Sequence, residues 1–287
     1  MNSIDFNYLL SIKKWVWLLT LGLAQSAIGQ YYYNDVIANY LTHQQYKLLR
    51  SQKVKKITGY SQESNQASAG DILFTQEISI DGKRITVFSM EQNSKSSRTT
   101  TYYNLGKLIK SESSNKNTLT TTTYTYHESG LPSQIQTITR DTFLASTTTE
   151  IHQYFFKKDS TLDFAYIIRN NSDTIHVFFT CNTQKQILDE TWKRKNKEIE
   201  KYYFYYDAKN ELTDIVRYNN IANKMLPDYI FTYADQGNIV EMIQVPRTGT
   251  NYLIWKYSYN EKGLKLADQC YNKSKVLMGN VNYVYEY

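Results

Sequence analysis

Cysteine, proline and histidine are scarce in this chain: its 287 residues hold 2, 3 and 4 of them. The two cysteines, Cys181 and Cys270, allow one disulfide at most, and spacing alone leaves open whether they meet. The histidines, His43, His127, His152 and His176, form no pair at metal-ligand spacing. A glycine-rich phosphate loop and a Gly-x-Ser-x-Gly elbow are also missing, so no metal, cofactor or catalytic residue is expected. Proline removes ladder donors, and its scarcity suits strands. Beyond the N-terminal stretch no long apolar run occurs, which leaves a soluble chain or a β-barrel. The formal net charge of +6 is spread along the sequence among interspersed Lys and Glu. That is a solvated basic surface rather than a polybasic tail, and neither nucleic acid nor a membrane is expected as a partner.

Tyrosine is what the chain has in excess, 27 residues against 11 Phe. Tyr and Thr favour half-buried pleated surfaces. In Trp255–Leu266, Trp255, Tyr257 and Tyr259 alternate with Lys256, Ser258 and Asn260, the two-residue period of a strand. A turn, Asn260-Glu261-Lys262-Gly263, follows, and a second strand leaves through Leu264 and Leu266. This hairpin recurs. The residue closing the strand before each turn falls at Ile80, Tyr103, Tyr126, Phe156, Phe179, Tyr206, Tyr233, Tyr259 and Tyr285. The interval is about 25 residues, two strands of about eight plus two turns. Gly106, Gly130, Gly237 and Gly263 follow their aromatics in the turns, and Asn210 takes that place once.

The segments Tyr205-Tyr206-Asp207-Ala208-Lys209-Asn210-Glu211-Leu212 and Tyr233-Ala234-Asp235-Gln236-Gly237-Asn238-Ile239 resemble the YD repeat of RHS-type proteins, Tyr-Asp-x-x-Gly-x-Leu. The chain is also similar to tyrosine-rich exported repeat proteins of Bacteroidetes-type bacteria. The resemblance covers most of 75–287, with Asn260 and His127 standing where the motif has Asp. It implies a curled antiparallel sheet and no enzyme. RHS proteins wrap many more repeats into a hollow shell, which about eight units cannot build.

At the N-terminus, Lys13 and Lys14 precede an apolar core, Trp15–Ala24, and Ala27 and Gly29 are the small residues of a cleavage site before Gln30. The expected organisation is a signal peptide, 1–29, and a single β-repeat domain, 30–287. A helix is expected near 35–50, capped by Asn34 or Asp35 and packed as a lid on the sheet rather than as a plug in a cavity. Hairpin repeats run over about 71–287. The expected fold is mainly β: one continuous curled antiparallel sheet of about 16 strands, open or closed like a barrel, with one N-terminal helix.

Tyr202–Tyr206 is aromatic on both faces of one strand, so an outward row of phenols could stack on a sugar or peptide. Tyr203, Tyr205, Trp255 and Tyr257 are the candidate ligand-binding residues. The expected function is an exported, non-enzymatic binding or structural module of the periplasm or cell surface, with a glycan or envelope protein as ligand. The alternative is an outer-membrane β-barrel, whose strand lengths and aromatic last strand, Val281–Tyr287, would fit. A glycan-active hydrolase with paired carboxylates across a barrel mouth is the remaining reading.

Overall fold

The computed structural model describes residues 30–61, 70–91, 94–246 and 251–287. The expected signal peptide and most of the polar loop 61–70 lie outside the described residues. A π-helical turn, Tyr32–Ile37, runs directly into α1 (Ala38–Ser51). The first strands are β1 (Lys56–Ser61), β2 (Ile72–Ile78), β3 (Arg84–Glu91), β4 (Ser94–Asn104), β5 (Lys107–Ser114) and β6 (Thr118–Tyr126). Then come β7 (Pro132–Asp141), β8 (Ser146–Phe156), β9 (Leu162–Arg169), β10 (Asp173–Cys181), β11 (Ile187–Arg194) and β12 (Lys197–Tyr206). The last are β13 (Leu212–Asn219), β14 (Lys224–Tyr233), β15 (Ile239–Gln244), β16 (Leu253–Tyr259), β17 (Lys265–Asn272) and β18 (Leu277–Glu286). Each strand pairs antiparallel with the next, and β18 pairs with β1 through Lys56↔Glu286 to Ser61↔Val281. The sheet is therefore a closed up-and-down barrel of 18 strands. That is more than the repeat spacing predicts, because Lys56–Ser61 joins across the polar loop and closes the ring. Closure removes both raw edges.

One rim carries the repeat turns. In each, the amide of the αL residue bonds back three positions: Gly130 to His127, Asn210 to Asp207, Gly237 to Ala234 and Gly263 to Asn260, all 2.9–3.1 Å. The turns without glycine have the same form, with Ser160 at φ 64° and Lys185 at φ 67° in the left-handed place. Asx side chains hold these turns: Asn182 Oδ1 accepts from the amides of Gln184 and Gln186, and Asp207 Oδ1 from Lys209 and Glu211. Gly263→Ala is expected to lower stability by about 1 kcal/mol and Gly263→Asn by less, read from melting curves of the two variants. Its backbone sits at φ 76° and an added Cβ would meet only Leu48 Cδ2 at 3.9 Å, so the cost is conformational.

Beside each of these turns the register slips by one residue. Ser258 pairs with Ala267 and Tyr259 with Lys265, so Leu266 is a bulge residue and faces solvent while Leu264 is buried. Ile109 and Leu188 are exposed for the same reason. The slip puts inward residues three apart, as in Leu212 and Ile215, which strict alternation misreads.

The repeat tyrosines are staples between hairpins. The phenols of Tyr206, Tyr233, Tyr259 and Tyr285 donate to the carbonyls of Ile187, Leu212, Ile239 and Lys265 at 2.8–3.0 Å. Each carbonyl belongs to the first residue of the preceding odd-numbered strand. In β10 the staple position is Cys181, whose thiol lies 3.6 Å from the Leu162 carbonyl, not Phe179. Ile80 likewise lies beyond the end of β2, exposed in the turn. Cys181 and Cys270 are free thiols on β10 and β17.

The inner face near the turn rim is apolar and aromatic, with Leu108, Ile167, Val177, Tyr202 and Ile215 buried. The outer wall carries charge at mid-strand: Lys110–Glu112 at 2.7 Å, Lys201–Asp189 at 3.4 Å and Lys256–Glu241 at 3.7 Å. The outward positions of β6 and β7 are mostly Thr and Gln: Thr121, Thr123, Thr125, Gln134 and Gln136. Among the described residues no helix is long and apolar enough to cross a membrane, which has no bearing on strands.

Candidate functional site: the plugged lumen

The helical segment 30–51 is a plug inside the barrel, not a lid on the sheet. Its contacts run around the wall. Tyr46 stacks on Tyr103 of β4 with centroids 3.9 Å apart, and its hydroxyl donates to the Gly82 carbonyl in the β2–β3 turn. His43 Nε2 accepts from the Leu108 amide on β5, and Asn39 donates to Tyr126 on β6. Tyr32 packs edge-on to Phe204 of β12, and Tyr33 lies against Tyr229 and Phe231 of β14. Only a position within a closed wall reaches all of these strands.

The start of the plug is held by charge. Asn34 and Asp35 do not cap it, since the chain is already helical at Tyr32. The cap comes from the wall: Glu190 on β11 accepts the amides of Tyr31 and Tyr32 at 3.0 and 2.8 Å and the Trp192 indole N–H at 3.0 Å. Gln30 Nε2 donates to Asp228, which also pairs with Arg217 at 2.8 Å. Asp35 Oδ2 meets His152 Nδ1 at 2.5 Å and accepts from the Tyr154 hydroxyl. His152 Nε2 is 2.8 Å from Glu150, Glu150 accepts from Arg169 Nε at 2.6 Å, and Arg169 donates to the Tyr31 hydroxyl. With a carboxylate on each nitrogen, the imidazole of His152 donates twice and is an imidazolium. The row Asp35, His152, Glu150, Arg169 alternates in sign.

Burial alone would lower the His152 pKa, but the charge and hydrogen bond of Asp35, helped by Glu150, outweigh it and raise it to about 9. Burial pushes Glu190 up to about 8 against the pull of its three N–H donors. Burial would raise Glu150 too, yet His152 and Arg169 hold it down at about 2. The His152 contribution to stability is complete below 6.5, its ordinary value, and is lost as pH rises through about 9. Glu190 acts in the same direction, between 4.5 and about 8. Glu150 acts oppositely and only in acid, below 4.5. The melting temperature is therefore expected to fall from about pH 5 to about pH 9, and His152→Gln to flatten the part of that slope above about 6.5. Thermal melts of both proteins across the range check it.

Away from the turn rim the lumen becomes polar. Inward residues of β3–β7 form rows of hydroxyls that bond across the strands: Ser97 to Ser89 at 2.8 Å, Thr99 to Ser113 at 3.0 Å, Thr122 with Thr137 at 3.1 Å and Thr120 with Thr139 at 3.2 Å. Thr137 pairs with Glu150 and Glu150 with Arg169, so this hydroxyl wall runs straight into the ionic row. Ser97, Thr99, Ser113, Thr120, Thr137 and Thr139 are only partly buried although they face inward. They lie beyond the plug's contacts, on the loop-rim side of the inner face among the described residues.

The four aromatic candidates do not form one site. Tyr203 and Tyr205 are on the outer wall of β12, with Lys201 Nζ 5.1 Å from the Tyr203 ring. Trp255 and Tyr257 are buried on the inner face of β16. The ionic row escaped the sequence reading, although Glu150, His152 and Tyr154 alternate and so share a face.

The architecture defined by these features is a closed, plugged, up-and-down β-barrel. No family model matches the sequence, and no curated protein matches it. Among solved structures, a porin-like protein from Bacteroides uniformis is similar over 81% of this chain and 96% of that one, at 13% identity and a TM-score of 0.41. A porin-like protein from Bacteroides vulgatus is similar over 81% and 98%, at 13% identity and 0.32. The TcdB2-TccC3 complex without its hypervariable C-terminal region is similar over 80% of this chain but 15% of that one, at 12% identity and 0.35. These are likenesses of strand arrangement and carry nothing about ligands.

Proposed function

We propose that the protein is an exported, non-enzymatic binding module of the cell envelope, whose ligand is an envelope glycan received in the loop-side half of the lumen. One observation carries this reading: a row of inward, only partly buried hydroxyls, continuous with an ionic row and beyond the plug's contacts. Each paired hydroxyl keeps a further lone pair, and the mixed donors and acceptors suit sugar hydroxyls. The carboxylates that could serve as acid and base are engaged by the plug and wall. Glu190 accepts three N–H groups, and Glu150 is bound by His152 and Arg169. That favours binding over hydrolysis. Titration of the intact protein with neutral oligosaccharides, followed by tryptophan fluorescence and calorimetry, tests it. Saturable binding weakened at least tenfold by Thr137→Val/Thr139→Val is the expected result; no saturable binding, or an unchanged affinity in that variant, contradicts it.

An outer-membrane barrel is the second reading. Closure into an even number of antiparallel strands favours it over an open repeat module, as does the apolar outer stretch of Phe155, Phe164, Tyr166 and Phe178 on β8–β10. A lipid-facing wall needs an apolar band on every strand. The Thr and Gln positions of β6 and β7 and the mid-wall ion pairs support a wall that faces water instead.

A further inference from the structure

The loop rim, opposite the repeat turns, presents large apolar side chains at three tips. Phe143 and Leu144 in the β7–β8 loop are 80% and 67% exposed, Ile221 in the β13–β14 loop is 77% exposed, and Val276 in the β17–β18 loop is 56% exposed. Each tip is stiffened by its own Asx cap. Asp141 Oδ1 accepts from the amides of Phe143 and Leu144 at 2.8 Å, Asn219 Oδ1 from Ile221 at 3.0 Å and Asn272 Oδ1 from Val276 at 3.0 Å. The β7–β8 tip is also tied to the neighbouring loop, with the Thr142 amide 2.8 Å from the Asn117 carbonyl. These are preformed projections, and in the closed ring they are spread around the rim as a tripod.

The same rim is basic. Lys116, Arg140, Lys195, Lys197, Lys224 and Lys275 are all exposed there. Of the carboxylates on that rim, Asp141 is used as a cap and Asp173 is paired with Arg194 at 3.0 Å, leaving Asp71 and Glu198 among the described residues against six basic side chains. The turn rim has exposed tips at Ile80 and Leu105, but acids and bases alternate around it, as in Asp207, Lys209, Asp235, Glu261 and Lys262.

We propose that the loop rim docks face-on to the surface of an anionic lipid bilayer. The three tips enter the boundary between headgroups and acyl chains, and the lysines and Arg140 meet lipid phosphates. This revises the expectation of no membrane contact: the tips are far apart in sequence, and the up-and-down order of the strands brings them to one rim. The inference stands on the rim and not on the lumen. Docked this way, the mouth of the lumen faces the bilayer, so a ligand entering it comes from the membrane surface.

Flotation of the full chain with vesicles tests the proposal. With vesicles of phosphatidylglycerol and phosphatidylcholine the protein is expected to float, at least tenfold more tightly than with phosphatidylcholine alone, and to be released by about 0.5 M salt. Phe143→Ser/Leu144→Ser/Ile221→Ser should weaken flotation at least tenfold, while Ile80→Ser/Leu105→Ser should float like the parent and both should melt like the parent. Equal flotation of the first variant, no preference for the anionic vesicles, or retention on vesicles after a salt wash would overturn the proposal. So would a parent that dimerises through this rim, with the first variant monomeric, since the occupant would then be a second copy. Failure here leaves oligosaccharide binding untouched, and the reverse also holds.

Discussion

Asp35→Ala is expected to cost about 3–5 kcal/mol and to loosen the plug from the barrel, the largest effect of any single substitution considered. Asp35 is the plug's one carboxylate against His152 and Tyr154, and its side chain is 13% exposed. Its removal strands a phenol and leaves the imidazolium with Glu150 alone, which Arg169 already shares. An uncompensated buried charge is costlier than a missing contact. Asp35→Asn keeps one acceptor and should fall between the two. Denaturant unfolding gives the energy, and limited proteolysis within 30–51 gives the loosening. Parent-like stability of Asp35→Ala would mean that the ionic row does not hold the plug.

Deleting Asn280–Tyr287 is expected to abolish the folded monomer. β18 is the closing strand, paired on one side with β17 and on the other with β1. Its loss opens two edges of unpaired amides and carbonyls. It also removes Tyr283, whose hydroxyl donates to the buried Asp268 at 2.7 Å, and the Tyr285 staple to Lys265. Aggregation on size exclusion and rapid digestion of the whole domain are the expected outcome. A truncated chain that remains monomeric and as protease-resistant as the parent would make the last strand peripheral.

The repeat and its turns were legible because they are local. Tyr-x-x-x-Gly spacing reports a turn that needs an αL residue, and aromatic alternation reports a face. Ser160 and Lys185 show the limit of that grammar, since Asx side chains and the flanking strands impose the same φ without glycine. The bulges were hidden because one extra residue turns an inward pair from a spacing of two to three, as at Leu212 and Ile215, and sends Leu266 outward. Closure and the plug were hidden for a different reason. They depend on β1 meeting β18 and on Asp35, Tyr31 and Gln30 meeting residues more than a hundred positions away, for which no local signal exists. The placement of Tyr203 and Tyr205 outside and of Trp255 and Tyr257 inside follows from the same ring geometry: alternation gives two faces, and only the fold says which one holds the plug.

On the proposed reading the lumen is filled by the chain's own N-terminal helix and the outer wall faces water. Salt and then alkaline carbonate extraction of envelope membranes tests it most directly, with the protein followed in each fraction. Release into the soluble fraction without detergent is the predicted result. Retention in the membrane pellet until detergent is added would contradict it and establish a wall that faces lipid.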